Sequence, residues 1–453
     1  MAEITIAPIA RPRPSVAASI ARLAWPTTLV MFAQIVASTF DAWMAGRLGV
    51  AALGGFALVF PFVILMQMLA AGGIGGGVAS AVARAVGRGS RRDAHDLTAH
   101  ALIVSSGFAL AFTVLMAGFG RPIFAAFAGA RGGAVDGAAI DAAADYARAL
   151  FGGALASWSM LALASVFRGL GDAAFPGRWM LASSLLQMPL GYALTFGFGG
   201  WAGLGIAGVG LAPPLAQIVA LTAMGRRIRR EDGGLSLSPR DVALRFAHFR
   251  DILQVGLMSG LGAMFASLTT MLVTALVAPH GVAALAGYGL GSRLEYFLTP
   301  LTFGIGSALT VLVGQAIGRG DAAQARRVAL VGAGASFAVC GLVGLLAALR
   351  PEWWADLFTA DPAVRAATIA YLQRVGPVYP FFGLGLALAF ALQGAARVAV
   401  ALAASVLRPL LIVGAVAAGL AASLPALYAV AAGAIVLYGC VVLGGFFALP
   451  LKR

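Results

Sequence analysis

The chain has 453 residues, of which 61% are hydrophobic and only 11% charged, and its mean hydropathy is +0.93. Soluble domains carry about 25% charged residues, so a water-soluble globule with this much apolar surface is excluded. The net charge of +14 would suggest nucleic acid in a soluble protein; here the basic residues lie between apolar runs, and membrane topology accounts for them.

In chain order, residues 1–18, with Pro8, Pro12 and Pro14, read as a flexible tail. They do not read as a signal peptide, because the first apolar run begins only after Arg22 and no cleavage site follows. A span needs about twenty apolar residues. Residues 23–40, 48–83, 97–120, 149–167, 328–349 and 375–396 are free of Asp, Glu, Lys and Arg. Residues 179–225 are also uncharged and divide at the Gly-rich turn Gly197–Gly203. Residues 252–292 break at Pro279-His280-Gly281, the next helix continuing to about Ile317, and 409–451 break near Ser423–Pro425. The expectation is twelve helices. With both termini inside, the inner segments hold 22 Arg and Lys and the outer loops 5, so the positive-inside rule places the termini in the cytoplasm. The basic stretch 226–250 separates an N-lobe (19–225) from a C-lobe (251–453).

The halves repeat. Gly49-Val50-Ala51-Ala52-Leu53 recurs as Gly281-Val282-Ala283-Ala284-Leu285, and Gly87-Arg88-Gly89 as Gly318-Arg319-Gly320. Both pairs bracket the second helix of a half. An even number of helices per half gives both halves the same orientation, so the expected fold is all-α and integral to the membrane, with twelve transmembrane helices in two six-helix lobes. A pseudo-twofold axis along the membrane normal relates them, with a cavity between.

Fifteen of the seventeen acids lie in tails, loops or helix ends; Asp41 on helix 1 and Glu295 on helix 8 lie within spans. A carboxylate at the bilayer centre costs about 2.5–3.5 kcal/mol, so each implies a partner or a function. Thr27, Gln34, Ser38 and Asp41 share a helix face, as do Ser184, Gln187, Gly191 and Thr195 on helix 5. Asp41 either loads a proton outside and releases it inside, or caps a neighbouring helix. Pro26 removes a backbone hydrogen bond from helix 1 and is a candidate hinge. Glu295 shares a face with Tyr288, Thr299 and Thr302. It is a buried ion-pair partner of Arg293 if the helix is distorted, a second proton site, or an anchor for a cation. Ser267 and Thr270 with Met264 on helix 7, and Tyr379 and Phe382 on helix 10, are candidate cavity residues, since methionine and aromatic surfaces repack around varied ligands.

Other chemistries are poorly served. The one lysine, Lys452, rules out a P-loop, so this chain does not hydrolyse ATP and needs a gradient or a separate ATPase subunit. The GxGxxG at Gly203, Gly205 and Gly208 lacks a preceding soluble strand and reads as close helix packing; the run Gly72–Gly77 is expected to unwind or pack its helix. Cys340 and Cys440 read as buried fillers, with no metal or cofactor implied. His95, His100, His248 and His280 sit at loops or helix ends with no hydrolase motif, so an enzyme is not expected. A channel is the remaining non-transporter alternative.

Several segments resemble the multidrug and toxic compound extrusion (MATE) family of secondary transporters. They are Trp25-Pro26, Asp41 leading into Met44-Ala45-Gly46-Arg47-Leu48-Gly49, Arg168-Gly169-Leu170-Gly171-Asp172, Leu204-Gly205-Ile206-Ala207-Gly208, Gly287-Tyr288-Gly289, and Gly314-Gln315 through Gly320. The resemblance runs from about residue 20 to 445. It implies a bacterial cytoplasmic-membrane antiporter, expected as a monomer, that exports lipophilic, mostly cationic compounds against protons or sodium by alternating access. Many members carry an acid on helix 5, where Gly191 stands; the sodium-type branch carries acids on helices 7 and 10, where Ala266 and about Phe382 stand. Only Asp41 is retained, which favours protons over a sodium site with several acids. One bacterial subgroup resembles the Gly291-Ser292-Arg293-Leu294-Glu295 stretch. The alternatives are a sodium-coupled exporter and a lipid-linked precursor flippase. The flippase would need a basic cavity, and Arg293 is the one arginine expected deep in the fold.

Overall fold

The computed structural model describes residues 15–130, 137–230 and 243–449. The tail to residue 14, most of the linker (231–242) and the C-terminal Lys452 lie outside them. Twelve long helical segments run through the described residues: α1 (Val16–Arg47), α2 (Val50–Gly87), α3 (Arg91–Gly118), α4 (Gly137–Gly152 continuing as Ala154–Leu170), α5 (Ala174–Phe196), α6 (Ile206–Arg230), α7 (Phe246–His280), α8 (Val282–Gly318), α9 (Ala322–Leu349), α10 (Pro362–Gly394), α11 (Ala399–Ala417) and α12 (Leu424–Ala448). Ten are long and apolar enough to cross a membrane alone; α4 is a bent pair, turned by 45° at its break. α5 has the length, 23 residues, but is more polar, with Ser183, Ser184, Gln187 and Thr195 buried along it.

Most helices extend past the charges that fenced them in the sequence, α4 and α10 furthest. α4 begins at Gly137, well before residue 149, and carries Asp141, Asp145 and Arg148. α10 begins at Pro362, before 375, and runs through Arg365 and Arg374. Long charged side chains near a helix end reach the interface while their stems stay on apolar surface, so a charge does not end a span. What starts the helices is capping: Ser15, Ser90, Asp321, Asp361 and Ser423 each accept hydrogen bonds from first-turn amides.

The repeat is real at the level of backbone. Gly49 and Gly281, ahead of α2 and α8, have φ of 114° and 104°, and Gly89 and Gly320, after them, 75° and 77°. These left-handed values favour glycine, which is why glycine recurs at both places. The two copies also meet. A methyl group added to Gly87 would stand 2.8 Å from the Gly318 Cα, and one added to Gly318 would stand 2.8 Å from the Gly87 Cα. The α2–α8 contact therefore lies on the pseudo-twofold axis, with α1 packed on α8 and, reciprocally, α7 packed on α2.

Among the described residues the lobes, α1–α6 and α7–α12, join from the middle of the helices toward the end where α1 begins and α12 finishes. Gly73 and Gly77 of α2 meet Gly256 and Gly260 of α7 backbone to backbone; a methyl on Gly77 would lie 2.5 Å from the Ile252 carbonyl oxygen. The glycine run of α2 does what its sequence suggested. Met68–Ile74 opens into a π-helical turn, and the Gly72 carbonyl accepts from Gln393 Nε2 of α10 at 2.9 Å. Arg84 of α2, 3% exposed, bridges to the other lobe. It donates to both Asp251 carboxylate oxygens at 2.7 Å and to the Gly394 carbonyl at 3.1 Å. Ser80 donates to the Gln393 carbonyl at 2.5 Å. An apolar cluster seals the same end, combining Ile20, Leu23 and Ala24 of α1 with Val313, Ala316 and Leu392. Further along, Val50–Gln67 of α2 packs on α4 and α1 of its own lobe, so the lobes diverge toward the opposite end.

Candidate functional site

Asp41 and Glu295 lie well inside α1 and α8, one in each lobe, and their surroundings differ. In the N-lobe, α1 places Asp41 against α5, 5% exposed. Gln187 Nε2 donates to Asp41 Oδ2 at 2.8 Å, while Asp41 Oδ1 is buried with no hydrogen-bond partner. The polar faces read on helices 1 and 5 are thus brought together. Asp41 bonds to a side chain of α5 rather than capping a helix. Among the described residues no arginine or histidine pairs with it. The buried Tyr146 of α4 lies close enough to feel its charge, a neighbour that the α1 and α5 stripes do not reveal. Gly191, where many MATE members carry a second acid, faces Met44: an added methyl would stand 2.8 Å from the Met44 Cε. Gln34 and Ser38 are half-buried, on the side of α1 that carries Asp41. Pro26 is buried in an unbroken α1 and packs on Gly177 of α5.

In the C-lobe, Glu295 of α8 is half-buried and accepts from the Tyr371 hydroxyl at 2.9 Å. Tyr379 of α10 and Arg408 of α11 face the same carboxylate. The expected partner is corrected: Arg293 is exposed and makes no ion pair with Glu295 among the described residues, because two positions along an unbroken helix point to different sides. The argument that only Arg293 is deep fails with it, since Arg84 is buried and Arg408 half-buried within the fold. Tyr288, Tyr371 and Tyr428 pack ring against ring, with centroids 5.2–6.5 Å apart. Tyr371 and Arg408 as neighbours of Glu295 escaped the sequence reading, because α10 and α11 join it only through tertiary packing.

The remaining cavity candidates do not form one site. Met264 is 46% exposed on α7, and Ser267 meets the other lobe, its hydroxyl directed at Met68 Sδ at 3.6 Å. The Thr270 carbonyl accepts from the Tyr288 hydroxyl at 3.5 Å, and the Thr299 hydroxyl donates to the Glu295 carbonyl at 2.8 Å, both within the C-lobe. Tyr379 is fully buried there, and Phe382 packs on the C-lobe core. The glycines of the GxGxxG turn from α5 into α6, with φ of 75° at Gly203 and 58° at Gly205, and Gly208 packs against the Leu194 carbonyl. Cys340 is a buried filler as read; Cys440 is not, being exposed on α12.

The sequence pattern of the MatE family matches residues 26–193 and 259–418. A probable multidrug resistance protein NorM of Thermotoga maritima is 26% identical over 264 residues, covering 58% of this chain and 56% of that protein, so the match spans about half of that relative's length. An FAD transporter of Shewanella oneidensis is 22% identical over 356 residues, covering 79% and 77%. Among solved structures, one of MATE in the bent conformation superposes with a TM-score of 0.86 at 23% identity, covering 96% of this chain and 95% of that one. A MOP superfamily transporter from Pyrococcus furiosus, described as having a binding pocket of reverse polarity, gives 0.85 at 22% identity, covering 96% of each. At these identities the structures support the twelve-helix fold alone.

Proposed function

The chain belongs to the MatE family of membrane transporters, and from that premise we propose that it is a proton-coupled antiporter exporting lipophilic cations by alternating access. The observation that carries this reading is Asp41: a buried carboxylate held by one hydrogen bond, with its second oxygen unpartnered and no cationic side chain beside it. Such a group has one negative charge to offer, and a proton and a cargo cation compete for it. Proton entry discharges the carboxylate and expels the cation; proton loss restores the site. The drive is ample, since moving one charge through 100 mV is worth about 2.3 kcal/mol. Protons are favoured over sodium because Gly191 leaves Asp41 without a second acid in its lobe, and Ala266 and Phe382 leave the C-lobe without the acids of a sodium cage.

The basic segments at the joined end place that end in the cytoplasm under the positive-inside rule, so this conformation opens outward. In this reading Gln34, Ser38 and Gln187 line the N-lobe cargo site, and Met264 and Ser267 its exit along the seam. The lobe boundaries are those drawn from the repeat, 19–225 and 251–453, and the protein acts as a monomer in the bacterial inner membrane. Everted vesicles test it: acidify the lumen, add ethidium and follow lumenal pH. Ethidium-dependent proton efflux without sodium is expected; efflux that requires sodium instead would replace the proton reading with a sodium one.

A further inference from the structure

The chain just ahead of α7 is tied to the N-lobe, at the end where the lobes join. Two side chains of α3 hold its backbone. The Ala243 N–H donates to Asp96 Oδ1 at 3.3 Å, and the Arg245 N–H donates to His100 Nε2 at 3.0 Å. The His100 ring also packs on His248 and Phe249 of α7, with centroids 5.0 and 4.4 Å apart. Asp96 and His100 are fully buried beneath this segment, whose Leu244 and Arg245 are exposed. The scaffold does not demand the attachment. The offset that takes Gly87 to Gly318 takes Asp96 and His100 to Arg327 and Val331 of α9, and both of those are exposed.

The bonds of His100 fix its tautomer. Nδ1 lies 2.6 Å from the Asp96 carbonyl oxygen, which can only accept, so Nδ1 carries the hydrogen. Nε2 then keeps the lone pair to which the Arg245 N–H donates. The ring is neutral and its one acceptor is in use. A proton on Nε2 turns it into a donor that faces a donor 3.0 Å away, and the bond is lost.

We propose that Asp96 and His100 form a pH-sensitive strap, which fastens the start of α7 to the N-lobe while His100 is neutral and releases it when a proton from water at the joined end adds to Nε2. The strapped form has its lobes joined, so acid on this side favours their separation. The charged and titratable groups about the ring are Asp93, His95 and Asp96 of α3, Arg245 of the strap and His248 of α7. Arg88, ahead of α3, is bonded to Asp93, Arg84 of α2 to Asp251, and Arg168 of α4 to Ser165. The strap does not rest on the identity of the cargo or of the coupling ion.

The test is hydrogen exchange of the purified full chain in lipid nanodiscs, without gradient or cargo. It compares about pH 7.5 with about pH 5.5, an interval across which histidine changes charge. Mass spectrometry follows peptides covering residues 243–250, corrected for the pH dependence of chemical exchange. Wild type is expected to lose at least tenfold in protection there at the lower pH, with peptides from residues 101–118 of α3 unchanged. His100→Gln offers an uncharged acceptor and should keep its protection within twofold at both pH values. His100→Ala has no acceptor and should be unprotected at both. Asp41→Asn should respond as wild type does, which separates the strap from the coupling acid. Equal protection of wild type at the two pH values, a response that persists in His100→Gln, or one that disappears in Asp41→Asn overturns the proposal. Ethidium-driven proton movement, which tests the exporter reading, is measured separately and its outcome is independent of this one.

Discussion

The two lobes share a backbone plan and differ in how each holds its acid. Asp41 has one neutral donor and a free oxygen; Glu295 has a tyrosine donor, two further tyrosines nearby and an arginine across the lobe interior. A carboxylate that already has a fixed cation near it gains little from exchanging a proton for a mobile cation. One without such a neighbour changes its charge balance completely when it does. Symmetry of scaffold therefore coexists with a difference in chemistry, and on the proposed reading the N-lobe acid is the one suited to coupling.

The comparison can be broken most directly at the acids. Asp41→Asn is expected to reduce ethidium export at least tenfold, whereas Glu295→Gln keeps at least half of it, measured by dye efflux from cells normalised to protein amount. Equal losses would erase the distinction. The next largest effect is expected at the seam that both lobes share. Asp251→Asn leaves Arg84 without its bidentate partner; Arg84 is 4% exposed at the side chain and Asp251 40%. A broken buried pair costs about 3–5 kcal/mol, and the exposure of Asp251 reduces the expected loss to about 2 kcal/mol. Thermal unfolding should show it as a lower Tm, and spin labels at the joined end should report a larger separation.

Smaller effects sharpen the contrast. Gln187→Ala removes the single hydrogen bond that orients Asp41 and should lower export about fivefold, by analogy with a net bond of about 1 kcal/mol. Tyr371→Phe removes the corresponding bond to Glu295 and should lower stability by about 1.5 kcal/mol, in unfolding assays, with ethidium export unchanged. The smallest effect belongs to Asp356→Asn at the open end. Arg365 donates to Asp356 at 2.5 Å and holds its carboxyl below the usual range. A depressed value contributes stability above the unfolded-state value and loses it as pH falls through the folded one. Because the pair is exposed and screened, the variant should leave the neutral-pH Tm unchanged within error.

Much of this was legible in the sequence, for identifiable reasons. Apolar runs and capping residues report spans, and the glycines at 49, 89, 281 and 320 report the repeat because their backbone angles favour glycine. The Asp41–Gln187 pair was legible because each residue lies on a polar stripe of an otherwise apolar helix. The partners of Glu295 were not. Tyr371 is 76 residues away and Arg408 still further along the chain, on helices without a polar stripe to announce them. Local spacing instead offered Arg293, which helix geometry turns away. The starts of α4 and α10 were hidden for a related reason: interfacial charges look like helix ends in a sequence and are not.

The central claim is that Asp41 exchanges a proton for cargo. Its most direct test is proton release from the purified protein in weakly buffered detergent when ethidium is added, followed with a pH dye. Wild type and Glu295→Gln should release about half a proton per bound cargo at the pH midpoint of binding, rising toward about one below it, and Asp41→Asn none. Release that persists in Asp41→Asn and disappears in Glu295→Gln would contradict the account and move coupling to the C-lobe.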